Sequence, residues 1–188
     1  MASDVTIVSI KPCENPVYIK PRLITYIQNG VEKNWEIAST HDSVSILLYH
    51  EKKDAFVLVK QFRPAIFMHN QDGYTHELCA GLVDKEKAII MIAKEEIEEE
   101  CGYLVPVEQI EKIVAFHTAV GFAGGKQTLY FARVDESMKV SEGGGIDDEQ
   151  IEVVYLPRKE AKAFIYDESI AKTPSLMFAF MWFFEQNR

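Results

Sequence analysis

The alternation of apolar and polar positions near the N-terminus predicts a β-hairpin. Two extended-looking runs, residues 23–27 and 32–37, lie on either side of Asn29-Gly30. This dipeptide tolerates the positive φ angles that a two-residue type I′ turn requires at both of its central positions. We therefore predict two antiparallel strands joined by a tight turn.

Six further apolar runs predict the strands of a larger sheet. The first two are almost continuously apolar, which is typical of strands that are covered on both faces. A charged turn separates these two runs, and Pro64 ends the second. The predicted strands are residues 43–49, 55–61, 76–80, 113–117, 127–134 and 151–156.

Only two segments have a convincing helical pattern. The first spans about residues 88–100 and ends at Gly102, because glycine readily adopts the left-handed conformation that closes a helix. Its Ile89, Ala93 and Ile97 form one stripe, which we expect to face the core. The second begins at Thr173-Pro174 and is apolar nearly all round, so we expect it to be buried. The predicted fold class is mixed α/β.

Length and charge narrow the classes of protein that the sequence can encode. At 188 residues the chain suits one domain, on a prior of roughly 150 residues per domain. Its formal net charge of −9 opposes contact with a nucleic-acid backbone, so we expect no nucleic-acid partner. The same charge opposes a phosphorylated small ligand unless bound cations reverse the sign of the potential at the site.

The cysteines and the N-terminal segment bear on location. Cys13, Cys79 and Cys101 are an odd number without a CxxC pair, which favours reduced thiols over a disulfide framework or a zinc site. The N-terminal segment lacks the pattern of a secretory signal, and no apolar run reaches the roughly 18 residues of a membrane span. We expect a cytoplasmic protein without a membrane partner.

Acidic residues concentrate on the first predicted helix. Glu96 and Glu100 lie about 40° apart at the edge of its apolar stripe, and Glu99 lies one step further round. Like charges at these spacings destabilise a helix, and apolar surroundings add to that cost. A hard divalent cation such as Mg2+ would offset the repulsion. The alternative is a solvated acidic helix face.

Residues 81–103 resemble the Nudix signature, G-x5-E-x7-R-E-U-x-E-E-x-G-U, in which U is apolar. Two positions depart from it, because Lys87 stands at the first Glu and Glu95 stands at the Arg. Lys94 is the nearby cation that we expect to compensate in part. The residues that match in register are Gly81, Glu96, Ile97, Glu99, Glu100, Gly102 and Tyr103.

The resemblance extends from about Pro21 to the C-terminus and is strongest to the UDP-sugar diphosphatase (UDP-glucose pyrophosphatase) branch, which is related to ADP-ribose pyrophosphatases. It implies the Nudix fold, a mixed β-sheet sandwiched between helices (α/β/α) with an N-terminal antiparallel hairpin region. Residues 1–40 would form the hairpin and dimerisation segment, and residues 41–188 the Nudix hydrolase domain. The resemblance further implies a homodimer in which each subunit helps to complete the site of the other.

The resemblance also implies a set of site residues. The metal ligands would be the backbone carbonyl of Ala80 and the side chains of Glu96, Glu99, Glu100 and Glu149. Glu77 would lie in the same shell, and Asp147 and Glu149 match a pair of acids separated by one residue in the loop before the last strand. The catalytic base would be Asp147, Asp148 or Glu149, and the sequence leaves that choice open.

Two further residues are candidates for substrate binding. A guanidinium binds phosphate oxygens with two hydrogen bonds, so Arg63 is a candidate for the substrate phosphates, although a surface Arg at a strand end is equally expected. Gly121 lies in a glycine-rich segment that would let the backbone approach a ligand. The alternative for Gly121 is a hairpin turn.

The function implied is Mg2+-dependent hydrolysis of UDP-glucose, a nucleoside diphosphate sugar, to UMP and glucose 1-phosphate, with Mn2+ as a substitute cation. One alternative is an ADP-ribose pyrophosphatase that gives AMP and ribose 5-phosphate. Another is a catalytically weak Nudix-fold protein that binds nucleotide sugars, which Lys87 and Glu95 motivate. The identity of the products separates these hypotheses.

Overall fold

A computed structural model describes residues 5–186, in which nine strands and four helices follow the chain. Residues 1–4 and 187–188, the outer ends of the two predicted units, lie outside the described residues. The strands are β1 (Lys20–Gln28), β2 (Val31–Ser39), β3 (Ser43–His50), β4 (Ala55–Phe62), β5 (Tyr74–Glu77), β6 (Cys79–Leu82), β7 (Glu111–His117), β8 (Lys126–Val134) and β9 (Ile151–Pro157). The helices are α1 (Pro64–Asn70), α2 (Ile89–Cys101), α3 (Arg158–Tyr166) and α4 (Pro174–Glu185).

The predicted hairpin is confirmed and forms a separate two-stranded sheet. Strands β1 and β2 pair antiparallel, and Asn29 and Gly30 have φ angles of 54° and 77°, as a type I′ turn requires. The hairpin is hydrogen-bonded to the rest of the molecule near its base. There the backbone N–H of Ala38 donates to the carbonyl of Phe122 at 2.7 Å.

The remaining seven strands form one mixed sheet around β3 and β4. Strand β3 runs parallel to β8 and antiparallel to β4 and β6. The predicted strand at residues 76–80 is wrong as a single element, because the chain changes partner at Leu78: β5 pairs with β4, and β6 pairs with β3. This change of partner brings β6 under the first long helix.

Helices cover both faces of the sheet, which confirms the predicted three-layer arrangement. On one face, Ile92, Ala93 and Ile97 of α2 pack against buried residues of β3, β4 and β8. On the other face, α3 and α4 pack against Phe56 and other buried residues. Apolar burial on both sides of the central strands explains their nearly continuous apolar sequence.

The predicted helix pattern needs three corrections. Helices α1 and α3 were not predicted, since α1 has no buried residue and α3 buries only Ala161 and Phe164, which gives little periodicity. Ile89 is 41% exposed at the start of α2, and Ile92 takes its place in the core. Helix α4 is not buried all round, because Phe178 and Met181 face outward on the side opposite its core contacts.

Two further features concern the lengths of the helices and the state of the cysteines. None of the helices in residues 5–186 has the length and apolarity needed to cross a bilayer. All three cysteines are free: Cys13 is exposed, while Cys79 and Cys101 are buried.

Candidate active site

The contact between β6 and α2 places the backbone of Ala80 and Gly81 against two glutamates. The N–H of Ala80 donates a hydrogen bond to Oε2 of Glu100 at 2.8 Å. Ala80 lies opposite Ser45 in the ladder with β3, and the N–H and C=O of one strand residue point to the same side. Regular strand geometry would direct the carbonyl of Ala80 to the same side, which is the direction that the predicted metal-ligand role needs.

Gly81 leaves the space that the carboxylate of Glu96 occupies. A Cβ atom at Gly81 would lie 2.0 Å from Oε1 of Glu96. The glycine of the signature is therefore needed for close approach, since no positive φ is involved at this position. The backbone of Ala80-Gly81 thus contacts the carboxyl groups of both Glu96 and Glu100.

Burial and mutual repulsion perturb both glutamates of this group. Burial, followed by the charge of Glu99, raises the pKa of Glu96 to about 7, although Lys85 opposes the rise. Burial, followed by the charge of Glu96, raises the pKa of Glu100 to about 8, against the effect of the Ala80 N–H. Near neutral pH, a bound cation would favour the ionised form of both carboxyl groups.

A glycine-rich loop follows the short 3-10 helix at Glu136–Met138 and packs against the C-terminal end of α2. The N–H groups of Gly144 and Gly145 donate to the carbonyls of Glu100 and Glu99 at 2.9 and 3.0 Å. A Cβ atom at Gly143 would lie 2.3 Å from the carbonyl oxygen of Glu100. These glycines satisfy helix carbonyls that have no partner within the helix, and they fix the loop against the helix.

The structure distinguishes Glu149 from Asp147 and Asp148, the other two candidate acids of this loop, which are both exposed. The Oε2 atom of Glu149 accepts a hydrogen bond from the N–H of Ile146 at 3.0 Å. The charge of Glu149 contributes to the raised pKa of both Glu96 and Glu100, so this side chain lies within the field of the cluster. Asp147 is exposed with a φ of 52° and is not among the principal charges that act on either glutamate.

Arg63 and Glu77, predicted separately, form one ion pair. The Nε and Nη2 atoms of Arg63 donate to the two carboxylate oxygens of Glu77 at 2.8 and 2.9 Å. Burial would raise the pKa of Glu77, but Arg63 and the hydroxyl of Thr75 hold it below its ordinary value. The charges of Glu100 and Glu149 also help to raise the pKa of Arg63, so the pair borders the carboxylate cluster.

Gly121 lies apart from these contacts, in the loop between β7 and β8. Its carbonyl accepts a hydrogen bond from Nε1 of Trp35 at 2.8 Å, and a Cβ atom there would meet open space. The structure therefore places Gly121 at the base of the hairpin.

Sequence reasoning missed three residues that act on the site. Asp84 and Lys85 both act on the pKa of Glu96, in opposite directions. Thr75 hydrogen-bonds Glu77 from the same strand, two residues away. Asp84 and Lys85 could have been indicated by their position three and four residues after Gly81. Only strand alternation could have indicated Thr75.

The donor set fits a hard divalent cation. Its members are a backbone carbonyl and carboxylates, the oxygen ligands that Mg2+ and Mn2+ accept. Within residues 5–186, no three acidic, histidine or cysteine side chains are already gathered as a metal-binding group. The main support for this fit is the Glu100 carboxyl group, which is buried, has a raised pKa and lies against the backbone of Ala80.

Comparison with known proteins gives extensive matches. The chain is 34% identical over 206 residues to the uridine diphosphate glucose pyrophosphatase NUDT14 of Bos taurus, a match that covers 94% of this chain and 93% of that protein. The Mus musculus protein of the same name is 33% identical, with 95% and 94% covered. A GDP-mannose pyrophosphatase of Cronobacter sakazakii is 38% identical, with 67% of this chain and 65% of that protein covered. No protein-family model matches the chain.

Proposed function

Because this chain belongs to the Nudix hydrolase family, we propose that it hydrolyses the diphosphate bond of a nucleoside diphosphate sugar. We propose UDP-glucose as the substrate, with UMP and glucose 1-phosphate as products. The match to proteins named for UDP-glucose covers nearly the whole chain and supports this choice. GDP-mannose is the second candidate, supported by a higher identity over two thirds of the chain.

The observation that carries the proposal is the Glu100 carboxyl group. It is only 5% exposed, it accepts one backbone N–H, and its pKa is raised to about 8 beside a second acid. Within residues 5–186 no side-chain cation forms an ion pair with this carboxyl group, which is therefore suited to a bound metal ion. We propose that the carbonyl of Ala80 and the side chains of Glu96, Glu99, Glu100 and Glu149 hold Mg2+, with Mn2+ as a substitute.

The chemistry of hydrolysis divides between the cation and the chain. A bound divalent cation would neutralise diphosphate oxygens and lower the pKa of a water molecule. For the catalytic base we propose Glu149, because it is exposed, held by the Ile146 N–H and electrostatically coupled to Glu96 and Glu100. Asp147 and Asp148 are the alternative bases on the same loop.

For the substrate phosphates we propose Arg63 as the binding residue. Its pair with Glu77 uses two of the five N–H donors of a guanidinium, and the side chain is 47% exposed. The pair also fixes the direction of the guanidinium, which lowers the entropy lost when a phosphate binds.

We also propose that the protein is a homodimer formed through the β1–β2 hairpin. Every residue of β1 is exposed, including Leu23, Ile24 and Ile27 at 66%, 42% and 73%. An isolated two-stranded hairpin is at best marginally stable in water, so a second copy that covers these side chains would stabilise it. The hydrogen bond between Trp35 and Gly121 connects the hairpin, and so the proposed interface, to the loop between β7 and β8.

A cytoplasmic location completes the proposal. The three free cysteines support it, because thiols persist in the reducing cytosol and tend to oxidise outside it. Microscopy of the tagged full-length chain tests it, and a signal confined to another compartment would contradict it.

Product analysis tests the proposed activity. We expect the purified chain with Mg2+ or Mn2+ to release UMP and glucose 1-phosphate from UDP-glucose, and to lose that activity in excess EDTA. GDP-mannose and ADP-ribose serve as competing substrates under the same conditions. Faster release of GMP or AMP would replace the proposed substrate, and tight binding without any product would support a binding protein instead.

Light scattering tests the dimer. We expect Ile24→Glu/Ile27→Glu, which places a charge on each face of β1, to shift the mass from two chains to one. Lys159→Glu on the exposed face of α3 makes the same change in net charge and should leave the mass unaltered. A wild-type mass of one chain would contradict the proposal.

A further inference from the structure

The two departures from the Nudix signature contact each other. The Nζ atom of Lys87 lies 2.6 Å from Oε1 of Glu95, within both hydrogen-bond and ion-pair distance. Lys85 reaches the other oxygen of the same carboxylate at 3.8 Å. The cations that contact Glu95 are therefore Lys87 and Lys85, whereas the sequence had offered Lys94 as the partly compensating cation.

The signs of this pair are the reverse of those in the signature. The signature has an acid at the position of Lys87 and a base at the position of Glu95, whereas this chain has the base in the loop and the acid on the helix. Either change alone would place two like charges together. Both changes together keep one positive and one negative group, so the attraction between loop and helix is retained.

The pair connects the two halves of the proposed metal site. Lys87 belongs to the segment that leads from Ala80-Gly81 into α2, and Glu95 immediately precedes Glu96 on the helix. The N-cap of α2, Ala88, makes no side-chain capping hydrogen bond, and the first turn of the helix holds no acidic residue. The Lys87–Glu95 contact therefore supplies a link that the helix start itself does not provide.

We propose that Lys87 and Glu95 are positioning residues, a charge-reversed pair that holds the segment after Gly81 against α2 and so keeps the Ala80 carbonyl and the Glu96 carboxylate in register for the cation. This inference rests on the proposed function, because it assigns the pair a role toward the metal. Both side chains are partly exposed, at 46% and 29%, so the pair contributes little to folding. We therefore expect the pair to affect the geometry of the metal site more than the stability of the fold.

A charge-swap cycle tests the pair. The variants are Lys87→Glu, Glu95→Arg and the double variant, which restores the signs of the signature. We expect each single variant to bind Mn2+ about tenfold more weakly, as measured by the paramagnetic resonance of free Mn2+, and the double variant to recover to within about twofold of wild type. Lys159→Glu and Glu160→Arg make the same charge changes on α3 and should bind Mn2+ like wild type.

Further measurements separate a positioning role from a structural one. Thermal unfolding without metal should be nearly equal for all four proteins, and the neutral variants Lys87→Ala and Glu95→Gln provide Mn2+ data should a charged variant fail to fold. Equal Mn2+ affinity in wild type and the single variants would overturn the inference. So would a double variant whose loss of Mn2+ affinity equals the combined losses of the two single variants.

The same cycle distinguishes this inference from the proposed function. If the two positions are coupled in Mn2+ binding but no UMP is released from UDP-glucose, the proposed substrate is contradicted and the positioning role of Lys87 and Glu95 stands. Release of UMP with no coupling between the two positions would retain the function and contradict the pair.

Discussion

Two buried carboxyl groups of the same region, Glu77 and Glu100, are compensated in opposite ways. They are 8% and 5% exposed, so burial penalises both charges. Glu77 receives two hydrogen bonds from Arg63 and one from Thr75, and its pKa is lowered. Glu100 receives the N–H of Ala80 and a hydrogen bond from the thiol of Cys79, but burial and the repelling charge of Glu96 raise its pKa to about 8.

The difference separates an acid that the fold completes from an acid that needs a ligand. A buried carboxylate with a bidentate guanidinium is satisfied within the protein. A buried carboxyl group with one backbone donor, one weak thiol donor and an acidic neighbour gains from an external cation. The contrast supports the assignment of Glu100 to the metal and of Glu77 to the orientation of Arg63.

The largest expected effect comes from removing the charge of Glu100. Glu100→Gln retains an acceptor for the Ala80 N–H but loses the metal-binding charge, so release of UMP should fall about a hundredfold or more. The free energy of unfolding without metal should be unchanged or higher, because a penalised charge is gone. Glu98→Gln, exposed on the same helix, should behave like wild type. An unchanged rate in Glu100→Gln would contradict the assignment.

A smaller loss should follow from filling the space at Gly81. The new Cβ of Gly81→Ala would displace the Glu96 carboxylate, which is flexible, so we expect a roughly tenfold to hundredfold loss of activity. The free energy of unfolding should change by less than about 1 kcal/mol, since no backbone atom is displaced. Loss of stability comparable with the loss of activity would indicate a structural role for Gly81 instead.

On the other side of the comparison, Arg63→Ala should destabilise the protein through Glu77. Removing the guanidinium leaves a buried carboxylate unpaired, at an expected cost of about 1–2 kcal/mol. In urea unfolding, Arg63→Ala/Glu77→Gln should recover part of that loss, because the orphaned charge is removed. A double variant that is less stable than Arg63→Ala would show that the pair does not explain the effect.

The pH dependence of metal-free stability should distinguish the two carboxyl groups by the sign of their effects. The folded pKa of Glu100 lies above its unfolded value of 4.5, so its contribution to stability decreases as pH rises from about 4.5 to about 8. The folded pKa of Glu77 lies below 4.5, so its contribution is present above that pH and is lost as pH falls. Unfolding curves of Glu100→Gln and Glu77→Gln, each compared with wild type, should therefore change with pH in opposite directions. Changes in the same direction would contradict the comparison.

Local sequence patterns were sufficient for much of the fold. The Asn29-Gly30 turn, the end of α2 at Gly102 and the Thr173 cap of α4 depend on a few adjacent residues, and the structure has all three. The division at Leu78 and the helices α1 and α3 were missed. A change of strand partner and the covering of a sheet by weakly periodic helices depend on distant residues, so the local pattern carries little trace of them.

For the site, the sequence identified the residue types and the structure supplied the pairings. Glu96, Glu99 and Glu100 follow from helical spacing and from the signature, and Gly81 from the signature alone. Nothing in the spacing connects Arg63 with Glu77, or Lys87 with Glu95. The sequence offered Lys94 as a partly compensating cation, whereas the structure pairs Glu95 with Lys87. Contacts across loops and strands decide these pairings, because side chains that are distant or ambiguous in sequence meet only after the elements pack.

The sequence by itself thus determined the family, the order of the main elements and the acids from which a site is built. Only the tertiary structure decided which acids are compensated: packing brings Arg63 to Glu77, the Ala80 N–H to Glu100, and the glycine loop with Glu149 to the end of α2. The physical reason is that the cost of a buried charge depends on its neighbours in space, whereas helical and strand periodicity depends on neighbours along the chain.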